Sequence, residues 1–287
     1  MRILNRAIFS AVVAVLLSSA AFAQVSNIVK VDLPQAEIDR IIKKFTENEE
    51  GFRYALTNYV FNRSATVQTI GLGGNITGTY RRDSFMTFTE AGERFEKITY
   101  FPMSTLTELQ VTPEDLEDLG GVNPFALDPR NISMYTFRYL GKEKIDELDL
   151  YVFDVAPKVI PDPKKSKLRL FTGRIWVDDR DLMIVKSKGK GIPEGDQRFP
   201  VVETWRQNVD GKYWFPVYSA SDDELVFKSG QVVKMRLRVR YDNYKQGRSE
   251  VIILDDPGEI PADDKPAEEP KPLKPGEVPP PPPPPGS

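Results

Sequence analysis

The sequence predicts a mainly β, α+β protein: a curved antiparallel sheet of about eleven strands, covered by an N-terminal helix and a second, short helix. Two observations carry this. Short runs of β-branched and aromatic residues, bounded by turn residues, recur from Val60 to Tyr244 without the intervening helices that parallel strands need. The last of these runs alternates cleanly. Val233, Met235, Leu237, Val239 and Tyr241 fall on one face, and Lys234, Arg236, Arg238 and Arg240 on the other. One side of the sheet is therefore buried or lines a cavity, and the other faces water.

The chain opens on a leader. Arg2 and Arg6 form a positive n-region, Ala7 to Leu17 a short apolar core, and Ala21-Phe22-Ala23 a small-x-small cleavage site. Residues 1–23 are thus expected to be a secretory signal peptide, because the apolar core falls short of the roughly 20 residues that span a bilayer. No cysteine follows the cleavage site, so lipid attachment of the bacterial lipoprotein kind is not expected. The expected location is the periplasm, and residues 24–255 are expected to form the folded domain.

Helix comes first in that domain. Asp32 is placed as N-cap with Pro34 soon after it, and Ile38, Ile41, Ile42 and Phe45 repeat at the spacing of one helical face. Glu49 to Thr57 continues the helix after a break or bend. The strands then follow at 60–70, 76–87, 94–100, 106–111, 135–140, 148–155, 168–177, 182–188, 201–207, 213–219, 225–228 and 231–244. Between the fourth and fifth of these, Thr112 is expected to cap a short helix at Pro113 to Leu119. Asp178-Asp179-Arg180-Asp181 and Asn208-Val209-Asp210-Gly211 are the clearest hairpin turns. Residues 256–287 close the chain. This stretch belongs to a tail that holds more than half of the 24 prolines and ends in an unbroken run from Pro279 to Pro285. Few apolar side chains remain there to offset ordering entropy, so it is expected to be a disordered spacer or a ligand for an aromatic groove.

Composition limits the chemistry. The chain has no histidine and no cysteine, which excludes a Ser-His-Asp triad, a thiolate nucleophile and ordinary zinc or copper sites. A net charge of −3 gives no reason to expect nucleic acid as a partner. No cofactor or metal is expected, and the chain is not read as an enzyme.

The one-sided sheet must be covered, and the helix carries a matching apolar stripe. The space between them is the candidate ligand site. Its candidate lining is Ile38, Ile41, Ile42 and Phe45 from the helix, with Phe85, Phe171, Trp176, Trp214, Val233, Met235 and Leu237 from the sheet. The alternative for the aromatic residues is a fully packed core. The basic row Lys234, Arg236, Arg238 and Arg240 is a candidate partner-binding strip, or else an ordinary solvated face.

The order of elements resembles a known family. Tyr139-Leu140-Gly141-Lys142-Glu143 and Leu150-Tyr151-Val152-Phe153-Asp154-Val155-Ala156-Pro157 look like central strands of LolA-like outer-membrane lipoprotein-sorting proteins. Gly173-Arg174-Ile175-Trp176-Val177-Asp178, Leu182 to Lys186, Asp210-Gly211-Lys212-Tyr213-Trp214-Phe215-Pro216 and Tyr241 to Tyr244 continue the likeness. It covers roughly residues 31–244. The resemblance implies a half-barrel whose mouth is plugged by helices. It also implies a periplasmic carrier that shelters lipid or lipoprotein acyl chains, in transient contact with the membrane. The alternative on the same scaffold is an envelope interaction or stress-sensing protein, whose proline-rich tail docks a membrane-protein partner.

Overall fold

The computed structural model describes residues 27–56, 58–88, 94–111, 129–165 and 168–247. The expected signal peptide, the short helix at Pro113 to Leu119 and the proline-rich tail lie outside the described residues.

One helix, α1 (Gln35–Leu56), precedes ten strands: β1 (Tyr59–Ile70), β2 (Ile76–Phe88), β3 (Arg94–Tyr100), β4 (Tyr135–Ile145) and β5 (Leu148–Pro157), then β6 (Leu170–Asp178), β7 (Ile184–Ile192), β8 (Val202–Val209), β9 (Tyr213–Val226) and β10 (Val232–Gln246). A 3₁₀ turn at Pro129–Met134 leads into β4. All ten strands join one open, curved antiparallel sheet in the order β3-β2-β1-β10-β9-β8-β7-β6-β5-β4. Sequential strands are neighbours everywhere except β3 and β4, which form the two edges, and the pairing of β1 with β10 joins the two meanders.

Three expectations are corrected here. The helix is unbroken through Glu49, and it starts from Pro34, whose carbonyl accepts from the amides of Glu37 and Ile38 at 2.9 and 3.1 Å. Asp32 is therefore not its N-cap. The run 213–219 continues unbroken to Val226, paired with β10 from Tyr218 onward, with Asp222 bridging to Arg236 and Arg238 across the sheet, and Phe227 and Lys228 fall in the turn that follows. Residues 106–111 are not a strand. Leu106, Leu109 and Val111 pack against the core from an irregular segment, so their apolar character reflects burial without ladder pairing.

Turn chemistry fixed the hairpins as expected. Asp210 and Gly211 both have positive φ (56° and 70°), the backbone of a tight two-residue turn, and a side chain at Gly211 would be strained. At the other turn Asp178 Oδ1 accepts from the Arg180 amide at 2.8 Å, and Asp181 Oδ1 from the Met183 amide at 2.9 Å.

The helix covers the inner face of the sheet through two clusters. Its first half sets Ile41 and Phe45 against Phe153, Val155, Ile175, Val177 and Ile184. Its second half sets Phe52, Ala55 and Leu56 against Phe61, Phe215 and Tyr241. A third, smaller cluster of Leu150, Val152, Trp176 and Val185 covers part of the outer face.

Candidate functional site

Between its two apolar halves α1 presents Glu49, which is fully buried. Its carboxylate accepts from Arg206 Nη1 at 2.6 Å and Nη2 at 3.0 Å, and the guanidinium stacks on Phe52 at 4.6 Å. The space between helix and sheet is thus filled where it was expected to be open. Ile41 and Phe45 are at 0% exposure, and Ile38 and Ile42 pack against the same cluster, as does Phe171. Val233 and Leu237 are buried on the inner face of β10.

An open apolar groove lies elsewhere on that face. It sits where β1 ends and β10 begins, opposite the end at which α1 enters β1. The groove measures about 300 Å³. Val67, Leu225 and Met235 line it from the sheet and are themselves almost wholly buried. One wall is Glu108 to Val111, and the other is Asp196 to Pro200. Only Met235 among the expected lining residues takes part.

Both walls are tied down by local chemistry. After β3 the chain runs along β2, where the Thr105 amide donates to the Thr79 carbonyl at 3.0 Å and the Thr79 amide to Thr105 Oγ1 at 2.9 Å. It then crosses Gly78, where a Cβ would stand 2.8 Å from the Thr105 carbonyl oxygen and 2.9 Å from Leu106 Cα. Only a glycine permits that approach. On the opposite wall Arg198 donates through Nε to the Val226 carbonyl at 2.6 Å and through Nη1 to that of Gly195 at 3.1 Å. Glu194 Oε1 accepts from the Phe199 amide at 3.1 Å, and Asp223 Oδ2 from the Val201 amide at 2.8 Å. No hydrophobic period marks this loop, so the sequence carried little signal for it.

Register puts the remaining expected residues outside the groove. Phe85 pairs with Asn62 while Met86 pairs with the buried Phe61, which places Phe85 on the outer face. Trp176 also lies on the outer face and donates to Glu143 Oε2 at 2.7 Å. It borders an open depression of about 740 Å³ together with Arg138, Asp154, Arg174, Lys186, Lys188 and Glu203. Lys186 lies between the Trp176 and Trp205 rings, at 4.7 and 4.1 Å. Asp154 is shared by Arg138 and Arg174; burial works to raise its pKa, but these two partners outweigh it and hold the carboxyl below its ordinary value. Trp214 donates to Asp181 Oδ2 at 2.8 Å at the β6–β7 turn.

The basic row of β10 does face outward, and its neighbour strand answers it. Lys234 meets Glu224 at 2.9 Å, and Arg236 and Arg238 share Asp222, while Arg240 is exposed. These are cross-strand ion pairs of ordinary kind.

No family model and no curated protein matches the sequence. Among solved structures, the chain is similar to a LolA superfamily protein from Nitrosomonas europaea, at 14% identity over 72% of this chain and 92% of that one, with a TM-score of 0.31. It is also similar to a DUF1329 family protein from Desulfovibrio piger (11% identity, 75% and 94% coverage, TM-score 0.37). A third likeness is to an outer membrane lipoprotein-sorting protein domain from Vibrio parahaemolyticus (12% identity, 71% and 93% coverage, TM-score 0.32).

Proposed function

We propose that this is an exported binding protein of the bacterial envelope, a carrier that takes the apolar chain of a lipid or lipoprotein into the groove between residues 108–111 and 196–200. The observation that supports this reading is the groove itself: an open apolar volume whose floor is Val67, Leu225 and Met235 and whose walls add Leu109, Val111, Phe199 and Phe227. Charged Glu108, Asp196 and Arg198 also border it, and Asp196 pairs with Lys228 at 2.9 Å. A chain entering such a site gains about 0.8 kcal/mol for each methylene removed from water. The leader at residues 1–23 supports export. Unlike the site expected from the sequence, this one requires no displacement of α1.

Native mass spectrometry of residues 24–287, purified without detergent from a bacterial periplasm, tests the reading. A co-purifying mass of lipid size is the expected result. The Leu109→Glu variant, which puts a charge in the wall outside the strands, is expected to lose at least about tenfold in affinity for a fatty acid, a change of about 1.4 kcal/mol, with a thermal melt checking that the fold persists. A wild-type protein that stays free of lipid after incubation with membrane lipids would overturn the carrier reading and favour an envelope interaction role.

A further inference from the structure

On the same inner face, the strands β1, β2 and β3 bring together Arg63, Arg82, Ser84 and Glu96. Glu96 Oε1 accepts from Arg63 Nη2 at 2.7 Å, Arg82 Nε at 2.9 Å and Ser84 Oγ at 2.5 Å, and Oε2 accepts from Arg82 Nη2 at 2.8 Å. Two guanidinium groups thus share one carboxylate. The cluster carries one positive charge without a counter-ion among the described residues.

That charge is not a surface ornament. Arg63 is 3% exposed, and its Nε is buried with no acceptor among the described residues. Glu96 meets Arg63 through Nη2 alone: Oε1 already takes three donors, and Oε2 is turned to Arg82 Nη2. Burial works to raise the Glu96 pKa, but hydrogen bonds from Arg82 and Ser84 and the charges of both arginines outweigh it and hold the carboxyl below its ordinary value. A buried guanidinium left over in this way is costly to keep unless an anion completes the set. The cluster is reachable from the Arg82 side, where the side chains of Arg82 and Glu96 are 20% and 22% exposed. Phe101 supports that guanidinium from 5.6 Å.

We propose that Arg63 and Arg82 form an oxyanion subsite for the carboxylate or phosphate headgroup of the amphiphile whose chain enters the groove. The tail end of this ligand rests on the groove reading above; the headgroup end rests on the arginines alone. Geometry relates the two. Arg63 and Val67 lie on one face of β1 four residues apart, about 13 Å along the strand, and Val67 lines the groove. Arginine suits the task because its planar fork binds two oxygens of a carboxylate or phosphate at once.

The test compares three probes on delipidated residues 24–287: dodecanoate, dodecanol and inorganic phosphate. The variants are Arg82→Gln and Arg82→Lys. Arg82→Gln leaves one arginine for one carboxylate, so the fold is expected to persist, as a thermal melt without ligand checks. Wild type is expected to bind dodecanoate at least about tenfold more tightly than dodecanol. Arg82→Gln should abolish that preference, and Arg82→Lys should restore part of it. Equal binding of acid and alcohol by wild type would overturn the subsite and leave the groove standing. Should the alcohol not bind while phosphate stabilises wild type and not Arg82→Gln, the groove reading fails and the subsite stands for a free oxyanion. Failure of all three probes overturns both.

Discussion

Glu49 occupies a place on α1 that helical spacing gives to an apolar side chain, between Phe45 and Phe52. The break or bend expected from the sequence falls there. The structure carries the helix through it without a break and supplies Arg206 from β8, 157 residues away, as partner. A fully buried ion pair of this kind is a poor source of net stability, yet removing one half strands the other. Glu49→Ala is therefore expected to destabilise the domain by about 3–5 kcal/mol, measured by urea denaturation. Replacing both partners, as Glu49→Leu with Arg206→Met, should recover most of the loss. A single-variant loss below about 1 kcal/mol would show that Arg206 finds water or another acceptor.

At the scale of elements, local pattern was a good guide wherever a strand shows one face to water. The alternation of β10 placed every odd residue from Val233 to Tyr241 inside, as the structure does. It was a poor guide to residues 106–111, which are apolar because they roof the inner face and not because they pair. The element that shapes the groove is this irregular segment, and what holds it is the missing side chain of Gly78. Gly78→Val is expected to push the segment off β2, with far-UV circular dichroism unchanged and fatty-acid affinity reduced by at least about tenfold. Unchanged affinity would mean that residues 108–111 are held by other contacts.

For the whole molecule, the decisive pairing is β1 with β10. It aligns Ala65 with Val239 and Val67 with Leu237, and it joins the β1–β3 meander to the β4–β10 meander. The last strand in sequence is thus an interior strand of the sheet. A chain ending at residue 231 is expected to lose cooperative unfolding, since both β1 and β9 would expose an apolar edge. A single sharp thermal transition in that truncated chain would contradict this. Closing so long a loop also makes this contact late and slow in folding.

The class of fold, the positions of most strands, the amphipathic helix, the hairpin turns and the chemistry that the lack of histidine and cysteine rules out were legible in the order of residues. The strands, helix and turns follow from interactions within a few residues, through side-chain period and turn dihedrals, and the excluded chemistry follows from composition. Tertiary structure alone decided that Ile38, Ile41, Ile42 and Phe45 pack into a core, that Phe85 turns outward and that Met235 alone of the expected lining meets the groove. It also brought Arg63, Arg82 and Glu96 together. Those outcomes depend on which strand lies beside which and in what register, and a one-residue shift in register reverses the face that every side chain presents. Such pairings join residues that are distant in the chain, so no local pattern records them.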